Sequence, residues 1–393
     1  MRILTRYVLM DLLKVFFLTL GVMTLLLFVV LLGRQAVDRG LGLGPLLKMA
    51  PYILPEAMQF TLPGALLLAT TGVYGRIAAS NEIVAIKSLG ISPLSLVWPT
   101  LVLAVLVSFT AVMLNDIAVS WGRLGQERVF LESMEAVAYG QLRNRGTFSV
   151  GDVSVKIRGV EDRTLIGPTV IRQGKGDKPT TIVTAESAQF TAYPHKGELV
   201  LRLRNWEVVG PLAVVWPGER EEVIPLDEFL GTKNRTRSPS TYALAEIGPA
   251  KAEQSEKISQ IRQERTTRAA YAMLTGSFDE LGDDAWQPQE RALHGAENRL
   301  HRFHTEPYRR WASGFSCLAF AVIGIPVAVI FRKGEFLASF FICFLPILLV
   351  YYPLLMFSIS GAKNGSLPPQ LLWIGNLVLL VIGAWLMRRV VRY

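Results

Sequence analysis

The chain has 393 residues, of which 51% are hydrophobic, and a formal net charge of +9. So large an apolar fraction, gathered in long blocks, argues against an ordinary soluble enzyme. Basic residues at the cytoplasmic ends of membrane spans explain the positive charge better than nucleic-acid binding does.

Six uncharged stretches are each near or above the roughly 18 residues that mark a membrane-spanning helix. They lie three before and three after a long polar insert, at Val15–Gly33, Ala57–Gly75, Ser88–Asn115, Trp311–Phe331, Phe336–Ala362 and Asn364–Met387. An even number of spans places both termini on one side of the membrane. Three spans before the insert place it on the other side.

Basic residues mark the side that carries the termini. They occur at both ends of the chain and after spans two and four, at Arg2, Arg6, Lys14, Arg76, Lys87, Arg332, Lys333, Arg388, Arg389 and Arg392. By the positive-inside rule this side is cytoplasmic. The sequence therefore predicts a multi-pass membrane protein with cytoplasmic termini and an insert that faces the periplasm or the exterior.

The segment 80–90, after span two, predicts a short cytoplasmic helix. Its residues Glu82, Ala85, Ile86 and Leu89 follow the i, i+3, i+4, i+7 spacing of one helical face. Gly90 is suited to end this helix. An acidic start with an apolar stripe suits docking into a groove on a partner. The alternative is an interfacial helix tucked under its own bundle.

The insert begins with a β pattern between about Thr147 and Pro225. Val153, Val155 and Ile157 alternate with Ser154 and Lys156, and turn residues separate such runs at short spacing. This favours an antiparallel sandwich or jelly roll. The predicted fold is thus a six-helix membrane protein, helices three plus three, with an inserted periplasmic antiparallel β domain of jelly-roll type. The alternative is a small β domain that merely caps the membrane part.

The predicted division has four parts: spans one to three in 1–120, the β domain in 121–248, a charged helical connector in 249–305, and spans four to six in 306–393. In the connector, a helix to about Leu274 precedes a polar loop, Gly276–Pro288. A second helix is expected to begin near Gln289 and to run into span four.

Motifs of catalysis are missing from the sequence. There is no G-x-x-x-x-G-K-[ST] loop, no G-x-S-x-G elbow and no H-E-x-x-H pair. His294, His301 and His304 can share a helix face near Glu297, but no established zinc spacing occurs. We therefore expect no catalytic residue, no cofactor and no metal, and we expect ATP hydrolysis to reside in another protein.

Several segments, in this order along the chain, resemble the lipopolysaccharide-export permease family LptF/LptG, also called YjgP/YjgQ. The 80–90 helix is similar to the family's coupling helix. The other similar segments are Arg6-Tyr7-Val8 through Leu13-Lys14, Leu54-Pro55-Glu56 with Leu62-Pro63-Gly64-Ala65-Leu66-Leu67, Glu306 with Arg310, Gly324-Ile325-Pro326 with Arg332-Lys333-Gly334, and Leu367-Pro368-Pro369 with Trp373 and Asn376.

The resemblance implies a permease subunit of an ABC-type exporter. Family members pair two homologous chains over a cytoplasmic LptB-like ATPase dimer. They extract a lipid, lipopolysaccharide or a similar one, from the inner membrane. They pass it to a periplasmic bridge of LptC/LptA-like jelly-roll proteins. The resemblance leaves open which of the two family types this chain is, and whether it pairs with a second type or with itself.

The resemblance also gives candidate site residues. Glu82 would pair with a basic residue of the ATPase, and Ala85, Ile86 and Leu89, before Gly90, would fill its groove. Arg34 and Arg39, at the outer end of span one, are candidates to hold a lipid phosphate, since arginine grips phosphate with two hydrogen bonds. Pairing with Asp38, or snorkelling, is the alternative there.

Arg310 is a further candidate for lipid phosphate, because it lies at the membrane edge. The alternative for Arg310 is a local ion pair with Glu306, four residues earlier.

Two other function classes compete with export. One is an envelope scaffold whose β domain binds without transport. The other is a membrane enzyme acting on lipid-linked sugars, which ranks last because no convergent acid, base, nucleophile or metal set is present in the sequence.

Overall fold

The computed structural model describes residues 2–39, 41–150, 153–161, 163–172, 181–193, 198–209, 214–225, 237–276, 283–331 and 336–392. Within these ranges the chain is mostly helical and carries one antiparallel sheet of eight strands. The predicted basic residues Arg332 and Lys333 lie outside the described residues.

Eleven α-helices occur in the described ranges. They are α1 Arg2–Arg39, α2 Leu43–Ala79, α3 Glu82–Ser88, α4 Leu94–Ile117, α5 Arg123–Glu132, α6 Met134–Arg145, α7 Leu244–Thr275, α8 Asp283–Ile330, α9 Phe336–Pro346, α10 Tyr352–Lys363 and α11 Ile374–Arg392. A π-helical turn, Ala118–Gly122, joins α4 to α5, and a second, Ile347–Tyr351, joins α9 to α10. Short 3-10 turns lie at Pro239–Thr241 and Pro369–Trp373.

Six helical stretches of the described chain are long and apolar enough to cross a membrane, which confirms the predicted number. They are Ile3–Val37, Leu43–Ala79, Leu94–Glu132, Trp286–Ile330, Phe340–Lys363 and Pro369–Val391. We call them spans one to six. The prediction that residues up to Pro288 form a loop is wrong, because α8 begins at Asp283.

The chain divides into two compact units. The helical unit contains Met1–Leu27, Pro55–Ser120 and Pro239–Tyr393, and the sheet unit contains Phe28–Leu54 and Trp121–Ser238. The expected division placed 28–54 with the first three spans. In the structure, Leu41, Met49 and Ile53 are buried in the core that lies on the sheet. Segment 28–54 therefore belongs to the sheet unit.

Span four is the central element of the helical unit. Its most apolar window is 67% buried, against 17% for that of span one. Small residues permit close approach of its neighbours: a Cβ at Gly314 would lie 2.3 Å from Val112 of span three, and one at Gly324 would lie 2.9 Å from Thr70 of span two. Such small-residue contacts are typical of helix packing in membranes.

The sheet unit has the strand order β1-β2-β5-β6-β4-β3, with β7 beside β6 and β8 beside β7, all antiparallel. The strands are β1 Thr147–Val150, β2 Val153–Lys156, β3 Gly159–Glu161, β4 Thr164–Ile166, β5 Thr169–Arg172, β6 Thr181–Tyr193, β7 Glu198–Val209 and β8 Val214–Pro225. Val153 and Val155 are buried while Ser154 and Lys156 are more exposed, so the predicted alternation of β2 is confirmed. Helix α6 covers this buried face.

Candidate functional sites

Helix α3 lies between spans two and three and ends as the sequence predicts. Gly90 has φ 74, a left-handed conformation that glycine adopts without strain. Its N–H donates to the carbonyl of Lys87 at 2.9 Å, and the N–H of Ile91 donates to the carbonyl of Ile86 at 3.2 Å. These two bonds form a Schellman motif, which satisfies carbonyls at the end of the helix.

One face of α3 is fixed to the helical unit. Ile83 and Ile86 are 8% and 9% exposed and belong to the core formed by spans one to four. On the same short helix, the ammonium group of Lys87 donates to the carbonyl of Val390 in α11 at 2.7 Å. The hydroxyl of Ser80 donates to Oε1 of Glu82 at 2.8 Å, which holds this carboxylate at the start of the helix.

The opposite face of α3 is exposed. Leu89 is 75% exposed and Val84 52%, Ala85 is also exposed, and Glu82 lies at the border of the two faces. The prediction that Ile86 shares a docking face with Glu82, Ala85 and Leu89 is therefore wrong, because Ile86 lies among core residues. At 100° per residue, Ile83 and Ile86 share one side of the helix, whereas Ala85 and Leu89 lie one turn apart on the other.

Polar contacts also join the spans beside α3. The Tyr74 hydroxyl of span two donates to the carbonyl of Leu96 at 2.9 Å and lies 2.7 Å from the Thr100 hydroxyl of span three. Arg76 of span two forms an ion pair with Asp11 of span one. Helix α3 thus rests on spans that are bonded to one another at this end.

The opposite end of the helical unit contains a buried group of charges around Arg310. The Arg310 side chain is 0% exposed, and its Nη1 lies 2.8 Å from Oδ1 of Asp116, at the end of α4. Its Nη2 donates to the carbonyl of Tyr242 at 2.6 Å. The same Asp116 oxygen accepts the N–H of Leu244 at 2.7 Å. Arg310 and Asp116 therefore fasten the start of α7 to spans three and four.

Glu306 completes this group. It is 1% exposed, lies 2.8 Å from Nη2 of Arg309, and lies 3.8 Å from Nε of Arg310. Glu306 and Arg310 form the local ion pair that was the alternative from the sequence. Each has a shorter contact elsewhere, Glu306 with Arg309 and Arg310 with Asp116. Two arginines thus face two carboxylates, as a buried charge cluster requires. Asp116 was missed because 194 residues separate it from Arg310; its position at the end of an apolar run was the available signal.

The arginines near the end of span one lie in the sheet unit. Arg34 is exposed on α1. Arg39 is the last residue of α1, and its side chain is outside the described part of the structure. Lipid contact at these two positions stays a prediction.

The connector forms a helical hairpin. Helix α7 packs on the first half of α8 through the amide of Gln254, which donates to the carbonyl of Ala296 at 3.0 Å, and through an Arg262–Glu297 pair at 2.7 Å. In the described ranges, no group of three or more His, Cys, Asp and Glu side chains is arranged to hold a metal ion.

In the sheet unit, Tyr139 of α6 joins the turn before β4 to strand β6. Its hydroxyl donates to the carbonyl of Arg163 at 2.6 Å and accepts the N–H of Phe190 at 3.0 Å. Burial raises the pKa of the Tyr139 hydroxyl.

Comparison with known proteins gives one family. The family model described as Lipopolysaccharide export system permease LptF/LptG matches residues 6–389. No curated protein matches the chain.

Proposed function

The chain belongs to the LptF/LptG family of lipopolysaccharide export permeases, since the family model covers residues 6–389 of 393, and from this premise we propose that it is one permease subunit of an ATP-driven, ABC-type lipid exporter. As a multi-pass permease subunit it carries out no ATP hydrolysis itself. The energy comes from a cytoplasmic ATPase dimer of the LptB type.

The exposed face of α3 is the observation that carries this proposal. Ala85 and Leu89 are presented beside the Glu82 carboxylate, and Ile83 and Ile86 hold the helix from behind. An apolar side chain such as Leu89 contributes roughly 1.5–3 kcal/mol when it is fully buried. The ATPase groove receives Ala85 and Leu89, and Glu82 pairs with a basic residue at its rim. Gly90 sets the end of the docked helix.

The cargo is lipopolysaccharide or a similar lipid, drawn from the inner membrane. Arg34 and Arg39 are the residues to which we assign contact with its phosphate groups. We do not extend this assignment to Arg310, because its guanidinium is buried among Asp116, Glu306 and the Tyr242 carbonyl.

The sheet unit is the exit path in this proposal. The positive-inside rule supports a periplasmic position for it, and its antiparallel strands agree with a jelly-roll domain. Within the described strands, β8 pairs with β7 alone. Such an edge suits strand addition by the LptC/LptA-like proteins of a periplasmic bridge.

A second LptF/LptG-like chain, or a second copy of this one, completes the transporter. The most apolar windows of spans one and five are 17% and 22% buried, whereas that of span four is 67% buried. Spans one and five therefore offer the larger uncovered faces to a partner chain.

Co-purification from native membranes tests the docking of α3. Glu82→Arg reverses the charge beside the docking face, and we expect it to reduce the co-purifying ABC-type ATPase at least about tenfold, which corresponds to 1.4 kcal/mol. Membrane insertion should not change, because Glu82 is outside the buried core.

The matched control is Glu253→Arg, the same charge reversal at an exposed site of α7. It should leave the ATPase yield unchanged. Equal ATPase recovery with Glu82→Arg and the wild-type chain would refute the coupling role.

A further inference from the structure

Lys87 joins α3 to the last turn of the chain's final helix. Its ammonium group donates to the Val390 carbonyl at 2.7 Å, across 303 residues of sequence. Val390 lies in α11, which the structure describes to Arg392.

The Val390 carbonyl is a suitable acceptor for a cationic donor. A charged donor makes a stronger hydrogen bond to a carbonyl than a neutral one does. Arg389 of the same turn lies over the Trp385 ring at 4.8 Å. Lys87 is therefore the cation from α3 that contacts a main-chain carbonyl of α11.

An apolar contact lies beside this bond. Met387 of α11 packs against the core that contains Ile83 and Ile86 of α3. The α3 helix thus has two kinds of contact within one region, hydrophobic through its isoleucines and charge-assisted through Lys87.

We propose that Lys87 is a positioning residue that ties α3 to span six, so that a displacement of α3 moves span six together with spans two and three. Spans two and three are connected to α3 through the chain itself. Span six has no such connection and depends on side-chain contacts. The inference rests on the proposed function, in which α3 is the element that the ATPase moves.

A transport assay separates positioning from docking. The complex is purified from native membranes with its co-purifying ATPase, reconstituted with lipopolysaccharide, and assayed for ATP hydrolysis and for lipopolysaccharide released. Lys87→Met keeps the length of the side chain and removes the charge. We expect it to retain the ATPase and to lower the lipid released per ATP about fivefold, while Lys87→Arg restores most of the coupling. Lys257→Met, at an exposed lysine of α7, is the control and should have no effect.

A distance measurement tests the tie without transport. Spin labels at Ser88 and Arg389, both exposed, report the separation of α3 from α11 in the nucleotide-free and the ATP-trapped complex. In the wild-type chain the distance distribution should be narrow and equal in both states. In Lys87→Met it should broaden or differ between the states. Lys87→Gln, which keeps a neutral donor, should be intermediate and serves in place of Lys87→Met if that variant does not accumulate.

Different results would overturn the positioning role of Lys87 and the coupling role of α3. Unchanged distances together with wild-type lipid release per ATP in Lys87→Met, or in Lys87→Gln where that variant replaces it, would overturn the role of Lys87. Retention of the ATPase by Glu82→Arg would overturn the coupling site itself, whatever the labels show.

Discussion

The helical unit has charged residues near both of its ends, and the two ends differ in how far these residues are buried. At the Arg310 end, Arg310 and Glu306 are 0% and 1% exposed and contact protein groups. At the α3 end, Glu82 lies at the rim of an exposed face on which Leu89 is 75% exposed. A charged residue at a membrane edge therefore indicates a binding surface only where contacts within the protein do not already account for it.

Breaking the buried cluster should have the largest effect. Arg310→Met removes the cation that Asp116 contacts at 2.8 Å and the donor to the Tyr242 carbonyl, while Glu306 keeps Arg309 at 2.8 Å. Because Asp116 is 32% exposed, we expect a loss of about 1–3 kcal/mol. We expect a lower melting temperature in detergent and weaker accumulation in the membrane. Thermal unfolding of the purified chain measures this.

Arg262→Met is the control for this variant. It breaks the Arg262–Glu297 pair, in which the side chains are 63% and 34% exposed, and exposed pairs contribute only about 0–1 kcal/mol. A wild-type melting temperature for Arg310→Met, combined with loss of bound lipid, would show that Arg310 is a substrate residue after all.

The second prediction compares Arg34 and Arg39 with the buried Arg310. Replacement of both Arg34 and Arg39 by Ala should reduce bound anionic glycolipid at least about threefold, because two bidentate phosphate contacts are lost. The melting temperature should change little, since Arg34 is exposed. Native mass spectrometry of the protein with its bound lipid provides the measurement.

Arg128→Ala with Arg143→Ala removes the same charge from exposed positions of the sheet unit and should retain the lipid. If the Arg34 and Arg39 variant keeps its full lipid occupancy, these side chains are interfacial anchors rather than contacts to cargo.

The sequence predicts what depends on short stretches of chain. The six spans follow from runs of apolar residues, and the end of α3 follows from Gly90, because both signals act over a few turns. The strands follow from alternation, as at Val153 and Val155. These features carry most of the fold.

Other features depend on contacts between distant residues. The spacing that groups Glu82, Ala85, Ile86 and Leu89 does not say which side of the helix meets the core, and the core reaches Ile86. The partner of Arg310 is Asp116, and nothing near Arg310 in the sequence indicates it. From the sequence alone, Lys87 is one of several basic residues predicted on the cytoplasmic side. Only the structure shows that it contacts Val390.

The smallest predicted effect concerns Ser80, at the α3 end. Its hydroxyl donates to Glu82 at 2.8 Å and also contacts the carbonyl of Arg76. Ser80→Ala frees the carboxylate without removing it, and the residue is exposed, so the fold should be unaffected. We expect the affinity for the purified ATPase to fall only about two- to threefold, the range of a weak exposed hydrogen bond.

A double-mutant cycle identifies the cause of that loss. If Ser80 acts by orienting the carboxylate, Ser80→Ala should have no further effect in a Glu82→Gln background, because the two changes remove one interaction. Titration of the solubilised permease with the ATPase measures all four combinations. An equal loss in both backgrounds would mean that Ser80 contacts the ATPase itself. The docking face would then extend beyond α3 to the end of span two, and the α3 end would differ from the Arg310 end over a wider surface.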